Sequence, residues 1–175
     1  MKDKIWAKTI LTAYRYLERL ADSIDAMIET KGLGSMNISG ASYSCNNIID
    51  LSEKLIELSE RKIKLINLKV LTEKVLLKCG RSSATILISK YIDGKTNAEI
   101  AENNKLSLRT YFRRLNDAEE KFECVLSAYG FNEQWLQHYL SSEKWLIEIK
   151  NRLQVLRLNQ EFEVEGRYIN KLALS

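Results

Sequence analysis

No proline occurs anywhere in this chain, so nothing in its covalent structure forces a helix to end. Glycine, the other strong interrupter, appears only seven times in 175 residues, and the sequence is rich in Leu, Ile, Lys and Glu, which all favour helices. An all-α fold is therefore expected, and the remaining question is how the helices are divided.

The first apolar stripe is Ile10, Tyr14, Leu17, Ala21, Ile24 and Ile28, alternately four and three residues apart. That spacing puts all six on one face of a helix over about residues 4–30. Three glycines between Lys31 and Gly40, with Ser and Asn among them, predict a loop there. From about Ser44, Ile49, Ile56, Ile63 and Val70 recur every seven residues with Leu51, Leu58 and Leu65 beside them, predicting a second helix of roughly 50 Å up to Cys79-Gly80. The two helices can bury their stripes against each other as an antiparallel hairpin, or part of the second stripe can form an intermolecular coiled coil. Residues 1–80 read as this hairpin, 81–128 as a separate three-helix unit, and 129–175 as a carboxy-terminal helix and tail. In that last part Asn132 caps a helix of about 25 residues, and beyond Asn159 the helical period fades into a strand or an extended arm.

Composition removes several function classes. With 45% hydrophobic and 29% charged residues and a net charge of +4, the chain is not a disordered one. No apolar run reaches about 18 residues, and the amino terminus, Met1-Lys2-Asp3-Lys4, carries an acid and leads into no apolar h-region, so neither a membrane span nor a secretion signal is expected, and a reducing cytoplasm is the expected location. Cys45, Cys79 and Cys124 are odd in number and widely separated, which implies neither a disulfide frame nor a zinc site. They read as small buried hydrophobes. His138 is the only histidine and is assigned no role. No phosphate loop, metal-ligand cluster or nucleophile with a neighbouring base is present, so no enzyme, cofactor or metal is expected.

Residues 83–122 carry the chemistry. Gly80 followed by Arg81, Ser82 and Ser83 predicts a helix stop and a new cap. A helix from Ser83 to Ile92 ends at Asp93-Gly94, and Thr96 can cap a second, two-turn helix over 97–103. Asn104-Lys105-Leu106 forms the next turn, and Ser107 caps a third helix reaching Phe122. This is the spacing of a helix-turn-helix. On the third helix Tyr111, Leu115, Ala118 and Phe122 form the buried face, and Arg109, Phe112 and Arg113 point outward. Residues 103–116 hold Lys105, Arg109, Arg113 and Arg114 and no acid, a local charge of +4. A duplex reader needs its positive charge in such a place. Arg109 and Arg113, four residues apart, can reach base edges in one major groove. Phe112 and Leu108 can touch thymine methyls or be covered by the carboxy-terminal helix, the latter being favoured.

The run Tyr91-Ile92-Asp93-Gly94-Lys95-Thr96-Asn97-Ala98-Glu99-Ile100-Ala101, with Ser107, Thr110, Tyr111, Arg114, Leu115 and Ala118 after it, resembles region 4 of sigma-70-type factors, whose helix-turn-helix binds promoter DNA. The longer layout, a helical hairpin with the Ile38-Ser39-Gly40 loop ahead of that unit, is similar to phage- and prophage-borne late-gene activators of the ArpU type in Gram-positive bacteria. The resemblance implies a regulator of prophage transcription that binds double-stranded DNA. Its contacts would be Lys105, Ser107, Arg109, Thr110, Phe112, Arg113 and Arg114, with Lys95 and Thr96 on phosphate. No aromatic and basic melting signature of sigma region 2 is present, so a complete promoter-opening factor is not implied. Tyr111 and Phe112 are bulkier than the residues usual at their positions. A homodimer through the hairpin or the carboxy-terminal helix is expected. The alternative is a helical adaptor that oligomerises and docks on RNA polymerase or on a phage packaging complex.

Overall fold

The computed structural model describes residues 4–36 and 45–172, with side chains at 4–32 and 48–158. It is all-α, as the sequence predicts. Seven helices lie among the described residues: α1 (Ile5–Met36), α2 (Cys45–Lys78), α3 (Arg81–Leu87), α4 (Asn97–Asn103), α5 (Leu108–Ala128), α6 (Glu133–Tyr139) and α7 (Lys144–Leu172). The last turn of α3 widens into a π-helical segment, Ile88–Ile92. None is long and apolar enough to cross a membrane.

Residues 14–74 form one compact unit, a hairpin of α1 and α2. Its register is fixed by three pairs. The Tyr14 hydroxyl donates to Glu73 at 2.7 Å, Lys69 pairs with Glu18 at 3.2 Å, and Lys62 with Asp25 at 2.6 Å. Each advance of four or seven residues along α1 is matched by an equal retreat along α2, so the helices run antiparallel. Leu17, Ala21 and Ile24 are buried from α1, and Leu65, Leu68 and Thr72 from α2.

Two expectations fail here. Ile49, Ile56, Ile63 and Val70 do not face α1 but are 39–57% exposed, because residues two apart, such as Ile49 and Leu51, lie more than half a turn round a helix and cannot both face one partner. The leucines face inward and the isoleucines outward. Nor does α1 stop at Lys31: it continues through Gly32 and Gly34 to Met36, since a glycine lowers helix stability by about 1 kcal/mol without terminating the helix. The Ile38-Ser39-Gly40 loop lies outside the described residues.

Residues 4–13 and 75–172 belong to the second unit. There α3 and α4 pack on α5, around Ile86, Leu87, Ile100, Tyr111, Leu115 and Phe122. The first turns of α1 hold α5 by polar bonds. Lys4 Nζ donates to the Asn116 carbonyl at 3.2 Å and pairs with Glu120 at 3.3 Å, and Lys8 Nζ lies 3.1 Å from Glu119. Lys150 of α7 sits 4.7 Å above the Trp6 ring, a cation on an aromatic face.

Further differences from the sequence reading are local. Gly80 itself occupies the cap position of α3, with no side-chain cap bond, and Ser82 and Ser83 lie in the first turn. The carboxy-terminal helix is broken at Leu140–Glu143, where the Ser141 hydroxyl donates to the His138 carbonyl and competes with the helical ladder. Beyond Asn159 the backbone stays helical to Leu172, neither strand nor arm; the stretch has no proline to end the helix, and Gly166 lowers its stability without terminating it. Cys79 is buried as expected, but Cys124 is exposed; the Cys45 side chain lies outside the described ones.

Candidate nucleic-acid interface

Each turn of the three-helix unit is set by its own residues. Gly94, at φ 69°, takes the left-handed conformation that ends the π segment. Thr96 then caps α4 in a reciprocal box: the Glu99 N–H donates to the Thr96 hydroxyl oxygen at 3.3 Å, and the Thr96 N–H donates back to the Glu99 carboxylate at 2.7 Å. These bonds, the backbone one first, hold the Glu99 carboxyl below its ordinary pKa. Because the Thr96 hydroxyl also donates to Glu99 at 2.9 Å, this helix end already carries an anion.

The turn between α4 and α5 is a Schellman motif. Leu106 N–H donates to the Ala101 carbonyl at 2.8 Å and Lys105 N–H to the Glu102 carbonyl at 2.9 Å. The left-handed residue is Lys105, at φ 53°, where glycine is usual. Ser107 follows as the cap of α5, its hydroxyl oxygen accepting from Thr110 N–H at 3.2 Å. The Ser107 and Thr110 hydroxyls share one bond of 2.9 Å, so of their two protons one is left to donate outward. The first-turn N–H groups of Leu108 and Arg109 point along the helix end without intrahelical acceptors, as in any α-helix.

The register of α5 matches the sequence reading. Tyr111 and Phe122 are fully buried, and Leu115 and Ala118 nearly so. The Tyr111 hydroxyl donates to Asn97 Oδ1 at 3.1 Å, tying α5 to the first turn of α4. Outward lie Arg109 and Arg113, with Phe112 on one flank and Thr110 and Arg114 on the other; the three arginines are exposed and Thr110 is half-buried. Phe112 is 49% exposed and Leu108 51%, so the expected cover from the carboxy-terminal helix is absent at both.

The basic residues differ in their partners. Lys4, Lys8, Lys62, Lys69 and Lys95 each pair with an acid, Lys95 with Asp93 at 3.5 Å. Among the described residues, Lys105, Arg109, Arg113 and Arg114 are in no ion pair; nor are bases elsewhere such as Lys54, Lys74, Arg81 and Lys90, and what sets these four apart is that they fall within residues 103–116, which hold no acid. These four cations thus run from the turn ahead of α5 into its second turn, and Lys105 and Arg109 are the ones beside the amino end, where the helix dipole is itself positive. An anion placed there meets backbone N–H groups, a hydroxyl proton and guanidinium groups together. Lys105, Ser107, Arg109, Thr110, Phe112, Arg113 and Arg114 are brought together at this end, while Lys95 and Thr96 lie at the start of α4. No family model, curated protein or solved structure matches this chain in comparisons with known proteins.

Sequence reasoning missed the group that supports α5 from beneath. Glu119 is buried, and accepts from the Tyr91 hydroxyl while paired with Lys8. Its signal was register: four residues after Leu115, it falls on the inward face. Among the described residues no cluster of His, Cys, Asp or Glu could hold a metal ion.

Proposed function

We propose that this protein is a sequence-specific, duplex-DNA-binding regulator of transcription that reads its site with the amino-terminal half of α5. One observation carries the reading: four exposed cations without acidic partners, gathered at the capped end of the second helix of a helix-turn-helix. Arg109 and Arg113 face the bases, Lys105 and Arg114 the flanking phosphates, and the Ser107 and Thr110 hydroxyls donate to a phosphate at the helix end. The resemblance of residues 91–118 to sigma region 4, and of the longer layout to ArpU-type activators, points to prophage genes as the target. No catalysis, cofactor or metal enters this reading.

Selection of duplexes from a random pool by the purified protein tests it. The parent should enrich one motif, and the Arg109→Ala/Arg113→Ala protein should not; an unenriched parent pool would sink the reading. Binding through about four phosphates also gives a log affinity against log salt slope of about −3.6.

The exposed Leu108 and Phe112 favour a second reading, in which the same surface docks on a protein such as RNA polymerase or a phage packaging complex. A docking adaptor would have no duplex affinity at moderate salt, and Phe112→Ala would weaken its protein partner more than Arg113→Ala.

A further inference from the structure

The outward stripe of α2 is unexplained by the hairpin. Ile49, Ile56, Ile63 and Val70 are 49, 57, 57 and 39% exposed, and their strict seven-residue spacing is the seam of a left-handed coiled coil. With these residues at heptad position a, Ser52, Ser59, Ile66 and Glu73 occupy position d, and Glu73, at the end of the stripe, is turned to the Tyr14 hydroxyl of the hairpin. The Ser52 and Ser59 hydroxyls already donate to the Ile48 and Leu55 carbonyls at 2.7 and 2.8 Å. Burying them therefore costs little, and their small size allows a close approach of a second helix.

Charge identifies that helix. Residues 45–60 carry four acids and one base, and 61–78 six bases and one acid, so α2 is acidic at one end and basic at the other. Its best complement is itself, reversed. The exposed flank of the stripe, position e, is Glu53, Glu60, Asn67 and Lys74. Antiparallel helices set e against e, bringing Glu53 of each copy to Lys74 of the other; parallel helices set e against g, bringing Lys74 to Lys69 and Glu53 to Ile48. We infer that the protein forms a two-fold antiparallel dimer through α2, with Ile56 beside Val70 of the second copy and the axis beside Ile63, midway between Glu53 and Lys74.

The inference does not rest on DNA binding, since its readout is mass. Sedimentation of the full chain across the micromolar range should show a concentration-dependent dimer. Ile56→Glu/Ile63→Glu should sediment as a monomer with its helical circular dichroism retained. Orientation is tested with surface changes that leave the hairpin core untouched. Glu53→Lys and Lys74→Glu should each weaken the dimer about three- to tenfold, and the double variant should restore it. A monomeric parent would overturn the proposal and leave the stripe to a different protein. A dimer tightened by Lys74→Glu alone, as Lys69 opposite it would give in a parallel pair, would overturn the orientation, and a trimer or larger assembly would overturn the two-fold.

Discussion

The hydroxyl of Tyr91 donates to a carboxylate oxygen of Glu119 at 2.6 Å, while Lys8 holds the other oxygen at 3.1 Å. Three separate segments, the start of α1, the π segment and α5, thus meet on one buried acid. A buried carboxylate is tolerated only when its oxygens are satisfied, so this acid makes the position of α5 depend on both partners.

Tyr91→Phe should therefore lower unfolding stability by about 1.5–3 kcal/mol, the range for a bond to a charged group, in urea denaturation. An unchanged midpoint would show that Glu119 is served without it. The same bond has an alkaline signature. Burial, then the Glu119 charge and hydrogen bond, push the Tyr91 pKa well above the ordinary 10.0, and burial with Glu73 pushes Tyr14 up to about 12. Folded values above the unfolded one stabilise the protein fully below pH 10 and lose that contribution as pH rises towards the folded values. The contribution of the two tyrosines should hold to about pH 10 and then fall, and the fall above that pH should be smaller in Tyr91→Phe and Tyr14→Phe.

Two helix ends close with the same motif but different residues. Gly130 ends α5 at φ 86°, with Phe131 N–H bonded to the Leu126 carbonyl, and Lys105 follows α4 at φ 53°. A Cβ at Gly130 would meet nothing within 4 Å, so Gly130→Ala carries backbone strain alone, about 1 kcal/mol of destabilisation. Lys105→Gly relieves similar strain but frees the unfolded chain, leaving a net gain of about 0.5 kcal/mol. Thermal unfolding should thus rank Lys105→Gly at or above the parent and Gly130→Ala below it. The Lys105 variant should nevertheless bind duplex more weakly, with the salt slope flatter by about 0.9. A lysine kept in a conformation that suits glycine would then be retained for its charge.

Much of this was legible in the sequence because it is local. Ser107 and Thr96 cap within three residues, and the Tyr111, Leu115, Ala118, Phe122 face follows from helical period alone. What was misread depended on tertiary choice. Ile56 and Leu58 are equally apolar, and only the identity of the face that α1 covers decides which is hidden. Glu119 is one acid among several on α5, and its burial becomes evident only when Lys8 and Tyr91 arrive from distant segments. The break between α6 and α7 turns on Ser141, whose hydroxyl prefers the backbone of the preceding turn.

With Cys45 replaced by serine, the remaining cysteines give a kinetic check on the second unit. Cys124 is exposed and should react with a soluble disulfide reagent at once. Cys79 is fully buried, and burial raises its thiol pKa against the lowering effect of Lys121, so it should react only through unfolding. Adding urea below the transition should accelerate Cys79 and leave Cys124 unchanged. Equal rates for the two thiols in buffer would show that the core beneath α3 opens freely.

Ser107 separates folding from recognition. Its hydroxyl oxygen caps α5 through Thr110 N–H, a job that Asn or Asp performs equally well. Ser107→Asp should leave stability unchanged or raise it by up to about 1 kcal/mol, because a negative charge suits the positive end of the helix dipole. The same carboxylate would stand among Lys105, Arg109 and Arg113, in the place of the anion proposed to bind there. Duplex affinity should then fall about tenfold or more, a cost of roughly 1.4 kcal/mol, while Ser107→Asn, equal in shape but uncharged, should bind nearly as the parent does. Fluorescence anisotropy with a labelled duplex measures both variants. If they bind alike, no phosphate occupies the amino end of α5, and duplex contact would rest on the side chains of Arg109 and Arg113 alone.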